Sequence, residues 1–128
     1  MDRPLSVQDW MKNNDGGKLD GSWITMMQRV ASFHSKHSFA LEENKGHDMG
    51  YRIALTVEEL GEFAAAITKG KSHSNIAEEL ADILILILGH SLALEIDLEK
   101  EFHSKMDIIM TRPAIKGGLG IRITDYKN

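Results

Sequence analysis

No cysteine occurs in this chain, which excludes a disulfide framework and any cysteine-ligated zinc site. Proline is nearly absent, at positions 4 and 113 only, so almost the whole sequence lacks the residue that breaks helix interiors. There is no basic excess either. Lys and Arg number 15 against 19 Asp and Glu, a formal net charge of −4, and a general nucleic-acid binder normally carries the opposite sign. The uncharged run beside the aliphatic centre, Ile83 to Leu94, is too short to span a bilayer. The opening "MDRPLSVQDW" lacks the apolar core of a secretory signal. A soluble cytoplasmic protein is expected, with neither a nucleic-acid polymer nor a membrane as partner.

What is present is helical periodicity. At 128 residues the chain is long enough for a single domain with a real core. We read residues 1–21 as an N-terminal extension and 113–128 as a Gly-rich tail. Ser6 with Asp9 is placed to cap a short helix ended by "NNDGG". Ser22 starts "SWITMMQRVASFHSKH", where Trp23, Met26, Met27, Val30 and Phe33 recur at helical spacing. In "MGYRIALTVEELGEFAAAITKG", Ile53, Val57, Leu60, Ala64 and Ile67 form one apolar stripe, with Gly70 as the stop. Ser74 is expected to cap a helix, apolar nearly all round and hence central, that carries "EELADILILIL". Asp97 caps the last helix, which must end before Pro113. The tail is Gly-rich, then briefly β-like. The expected fold is an all-α bundle of four to five helices with a short irregular or hairpin tail.

The chemistry lies in two carboxylate clusters. "EELGE" supplies Glu58, Glu59 and Glu62, and "EELAD" supplies Glu79 and Asp82. Residues three apart share a helix face, so Glu59 with Glu62, and Glu79 with Asp82, each form an acidic edge. The short link "TKGKSHS" makes the two helices antiparallel neighbours. Four carboxylates would then meet across one seam and repel each other unless neutralised. Magnesium suits such a set, because it takes oxygen ligands and keeps waters that a phosphate can replace. Glutamate pairs are also commonplace on solvated helix surfaces. What singles this set out is that its second pair lies on the most apolar helix. Di-iron carboxylate bundles need a Glu-x-x-His motif, which this sequence does not contain.

Glu-Glu-x-x-Glu followed by Glu-x-x-Asp resembles the signature of the MazG-like nucleotide pyrophosphohydrolases, in the all-α NTP pyrophosphatase group. The likeness runs from about Ser22 to Pro113. It implies an oligomeric helical bundle, a homodimer or homotetramer, and Mg²⁺-dependent hydrolysis (Mn²⁺ as a substitute). A (deoxy)nucleoside triphosphate would be cleaved between its α and β phosphates by a metal-activated water attacking the α-phosphorus. On the same resemblance Glu59, Glu62, Glu79 and Asp82 are metal ligands. Glu58 matches the glutamate that orients the water or holds a second metal, so Glu58 and Glu59 are the catalytic candidates. The family's Lys-x-x-x-Asn segment, with a basic residue three places later, reads here as Lys105, Ile109 and Arg112. The amide is missing, and base or sugar recognition is expected to differ accordingly. Lys105 and Arg112, seven apart, are expected on one helix face toward phosphates.

Softer candidates surround these. In related enzymes the region of "FHSKHSF" contributes to the nucleobase pocket, so His34 and Phe39 are candidates for stacking on a base. Read without the resemblance, Phe33 belongs in the core and His34 and His37 on the surface. His-x-x-His alone is too few ligands for zinc. His90, after Gly89, reads as a satisfied interior histidine. Lys69, Lys71 and Asn75 flank the acidic seam within reach of phosphates. Lys116, Gly117, Gly118 and Arg122 are the makings of a phosphate-clasping flap. Two rivals stand beside the leading reading: a phosphoribosyl-ATP pyrophosphohydrolase, and a non-catalytic helical oligomerisation module.

Overall fold

A computed structural model describes residues 22–124. The proposed cap at Ser6 and Asp9, the "NNDGG" stop and the last four positions of the tail lie outside them. The chain divides after Ile96 into two compact units. The first holds α1 (Ser22–Lys36), one 3-10 turn (Glu42–Asn44), α2 (Met49–Thr68) and α3 (His73–Ala93). The second holds α4 (Leu98–Met110) and a hairpin of β1 (Ala114–Gly117) and β2 (Gly120–Ile123). No helix among the described residues is long and apolar enough to cross a membrane.

The helix ends follow local chemistry. Asp48 starts α2 by accepting from the Tyr51 N–H at 2.9 Å. Its far end closes as a Schellman turn, in which Lys71 N–H reaches Ala66 O and Gly70 N–H reaches Ile67 O, with Gly70 at φ 62°. The next cap is Ser72 rather than Ser74: its Oγ accepts from Asn75 N–H. Because the Schellman turn ends at Lys71, the very next serine is already placed to start α3. Asp97 caps α4, accepting from Lys100 N–H. That helix stops at Met110, so Arg112 lies beyond it and does not share a continuous helix face with Lys105. Thr111 closes the helix end with its Oγ1 on Ile108 O, and Pro113 blocks continuation. The hairpin pairs Lys116 with Ile121 and Ile115 with Arg122. Neighbouring positions alternate faces, so Lys116 and Arg122 stand on opposite sides of the ribbon and do not clasp one object together.

In the first unit, α2 and α3 form an antiparallel hairpin and α1 packs on α3. The apolar core is small: Val30, Ala66 and Leu88. The stripe of α2 turned inward is Arg52, Thr56, Glu59, Phe63 and Ala66. The apolar stripe predicted to face the core is exposed, with Val57 at 63% and Leu60 at 55%. On α3, expected to be central, Leu80, Leu84 and Ile87 are likewise exposed, Ile83 is half-buried, and full burial is confined to Leu88, Gly89 and Ser91. Among the described residues, then, the faces of the hairpin that meet mix polar and apolar side chains, and much of the apolar surface of α2 and α3 is left open.

Gly89 is where the packing is tightest. A Cβ there would run into Arg52 Nη2 and His34 Nε2. Helix propensity alone favours alanine over glycine by about 1 kcal/mol. We expect the reverse sign for Gly89→Ala, a loss of roughly 1–3 kcal/mol from overpacking, read as a lower urea midpoint. Gly61, with nothing near its missing Cβ, is the control: Gly61→Ala should stabilise.

Candidate active site

Glu59 stands two turns after Arg52 on the inward stripe of α2, and Glu79 and Asp82 lie on the facing stripe of α3. One carboxylate oxygen from each of Glu59, Glu79 and Asp82 lies within 4.8 Å of the others. All three residues are half-buried. The Oε2 atoms of Glu59 and Glu79 are enclosed and have no hydrogen-bond partner among the described residues. An enclosed carboxylate oxygen without a donor is costly. Burial raises both carboxyls above the usual range, and the charges of Glu62 and Asp82, with hydrogen bonding to Glu62, add to the rise. Glu62 therefore belongs to the cluster electrically, although its side chain is exposed at the rim. Glu58, one position before Glu59, is exposed.

This donor set fits a hard divalent cation. Ligands on opposite sides of a magnesium ion lie roughly 4 Å apart, comparable to the oxygen spacing here. A cation would also satisfy the two orphaned oxygens and cancel the repulsion. Beside the cluster, Lys69, Lys71 and Asn75 share an open cleft of about 260 Å³ with Glu62, Glu78 and Glu79.

His34 is interior, 6% exposed, with Nδ1 at 2.8 Å from His47 Nε2. Burial first, then the charges of Arg52 and His47, lower its pKa to about 4. This corrects the surface expectation for His34, and Phe33, expected in the core, is 45% exposed. The exchange follows from helix phase: the face of α1 that carries Val30 also carries His34, and Phe33 is rotated off it. Phe39 packs its ring against Phe33, His34 and His37. Lys105 and Arg112 belong to the second unit, Lys105 exposed on α4 and Arg112 half-buried beyond its end.

Sequence reasoning missed Arg52, which is 3% exposed. Its Nε donates to His90 Nδ1 (2.9 Å), Nη1 to Gly46 O (2.8 Å) and Nη2 to Leu86 O (3.0 Å). His90 is the satisfied interior histidine expected. With Nδ1 accepting, it is the neutral Nε2–H tautomer and donates to Thr56 Oγ1 at 2.8 Å, while that hydroxyl donates to Arg52 O. The available signal was the polar i, i+4, i+7 set Arg52, Thr56, Glu59 on one face of the helix.

Carboxylates from two antiparallel helices, converging with their oxygens close together, define an all-α protein with a half-buried acidic cluster. The family model of the MazG nucleotide pyrophosphohydrolase domain matches residues 51–114, and the chain belongs to that family. Its members are typically metal-dependent pyrophosphohydrolases. The match takes in both acidic motifs and α4 and leaves out α1, with His34 and Phe39. No curated protein and no solved structure matches the chain.

Proposed function

We propose that the protein hydrolyses (deoxy)nucleoside triphosphates to the monophosphate and pyrophosphate, with Mg²⁺ held by Glu59, Glu79 and Asp82 and with Glu62 at the rim. The observation that carries this is the pair of enclosed, unpartnered oxygens on Glu59 and Glu79 in a chain of the MazG family. Mg²⁺, when bound, supplies charge neutralisation for the polyphosphate and acidifies water. The chain's residues do the rest. To Glu58, exposed one position before Glu59, we assign orientation of the attacking water and acceptance of its proton. Lys71 and Asn75, with Lys69, offer donors to the departing phosphates from the adjoining cleft. For the base we assign two adjoining cavities of about 480 and 320 Å³, sharing Ala40, Leu41 and His47 and reached by His34 and Phe39 respectively.

Phosphoryl transfer needs positioning and charge stabilisation more than covalent help, and this inventory contains those elements. The test is hydrolysis of each dNTP, and of phosphoribosyl-ATP in parallel, in ¹⁸O-water with Mg²⁺. Attack at the α-phosphorus puts the label in the monophosphate. Label in pyrophosphate, or orthophosphate as product, would refute the bond choice.

The open apolar stripes of α2 and α3 support a homodimer or homotetramer. Leu60→Lys should lower the mass seen by sedimentation equilibrium toward that of one 14.3 kDa chain. A wild type that is already monomeric at micromolar concentration would exclude the oligomer.

A further inference from the structure

We infer that Arg52, His90 and Thr56 form a positioning clamp that fixes the register of α2 against α3 and thereby aligns the acidic cluster. The inference rests on the proposed role of that cluster. The clamp spans the hairpin: Arg52 and Thr56 belong to α2, Leu86 and His90 to α3, and Gly46 to the loop before α2. Arg52 precedes Glu59 by seven residues, and Leu86 follows Glu79 by seven. In an antiparallel pair the bond from Arg52 to Leu86 therefore sets Glu59 opposite Glu79, two turns or about 10 Å away. A slip of α3 by one residue would turn its carboxylates by about 100° and shift them by about 1.5 Å, which disperses three oxygens that must meet at one ion.

The choice of side chains fits this task. Much of the apolar surface of α2 and α3 is exposed among the described residues, which leaves polar contacts a larger share in defining register. Guanidinium presents N–H groups in fixed, divergent directions, and here three of them reach three different backbone or ring acceptors. Lysine cannot reproduce that fork. Burying this cation is expensive, and among the described residues its hydrogen bonds go to neutral groups only. The chain closes into a loop, from Arg52 to His90, to Thr56 and back to the Arg52 carbonyl, so each group fixes the orientation of the next. Gly89 lets Arg52 and His34 approach the α3 backbone.

The test uses the full chain and Mn²⁺ alone as probe, its binding followed by electron paramagnetic resonance, with kcat and KM for a dNTP and circular-dichroism melts alongside. Arg52→Lys and Thr56→Val should remain helical but raise the Mn²⁺ dissociation constant about tenfold, the scale typical of residues that orient metal ligands. In both variants kcat should fall while KM moves little. Thr56→Ser, which keeps the hydroxyl, should restore the wild-type constant. A merely structural role predicts lower melting temperatures with unchanged Mn²⁺ affinity in the folded protein, and that result overturns the clamp while leaving the function standing. If Arg52→Lys does not fold, the Thr56→Val and Thr56→Ser pair decides alone. If Glu79→Ala binds Mn²⁺ as the wild type does, the cluster itself is not the metal site, and both the function and the clamp fall.

Discussion

Glu79→Ala and Asp82→Ala are expected to cut Mg²⁺-supported pyrophosphate release by on the order of 10³-fold, the several kcal/mol that a catalytic cation supplies. The fold should survive, because neither side chain packs in the apolar core. A second readout separates this from loss of structure. In the metal-free protein Glu59 and Glu79 sit above their ordinary carboxyl range, through burial and then the charges of Glu62 and Asp82. The folded state thus holds these protons more tightly than the unfolded one. The associated stability is present below the ordinary carboxyl pKa and lost as pH rises through the raised values. Metal-free Glu79→Gln should therefore be more stable than the wild type at pH 7. Mg²⁺ should raise the wild-type melting temperature and leave that of the variant almost unmoved. A wild type indifferent to Mg²⁺ would remove the basis of the proposed function.

The second large effect is acid sensitivity, with the opposite sign. His34 has its pKa lowered from 6.5 to about 4, and that of His90 is lowered by burial and then by Arg52. Below pH 6.5 the unfolded chain takes up protons that the folded chain refuses. Stability present above pH 6.5 is lost as the pH falls toward 4. For His34 alone that loss is roughly 3 kcal/mol. The acidic cluster works against it over part of the same range, so the wild-type curve by itself mixes the two. His34→Asn keeps a polar atom near the position of Nδ1 and removes the titration. In urea unfolding, the wild type should lose roughly 3 kcal/mol more than His34→Asn between pH 6.5 and 4. Parallel curves for the two proteins would show that His34 does not titrate as its burial implies.

Both predictions draw on residues of different legibility. Glu59, Glu79 and Asp82 could be brought together on paper, because three-residue spacing and a short link determine which helix edges can meet. Asp48, which opens α2, and Thr111, which closes α4, act over a few residues, as Asp97 and Gly70 do; of these four, Asp97 and Gly70 were assigned from the sequence. The cap at Ser72 was missed by two positions, because three candidate hydroxyl and imidazole residues crowd the end of a Schellman turn. Arg52 was not read at all. A single arginine in a helix usually lies on its solvated face, and nothing adjacent to it announces Gly46, Leu86 and His90 as acceptors.

By itself the sequence determined the helices, some of their ends and the acidic edges, since each depends on spacing or on a hydrogen bond made a few residues away. Only the tertiary structure decided which face of α2 is the inner one. Periodicity marks Ile53, Val57, Leu60 and Ile67 as one stripe, but it does not say what that stripe meets. In the folded chain the neighbouring stripe, Arg52, Thr56 and Glu59, about 100° round the helix, faces α3. The physical reason is that hydrophobicity has no direction, whereas the bonds from Arg52 to Leu86 and His90 form only when the Arg52 side of α2 is turned to α3.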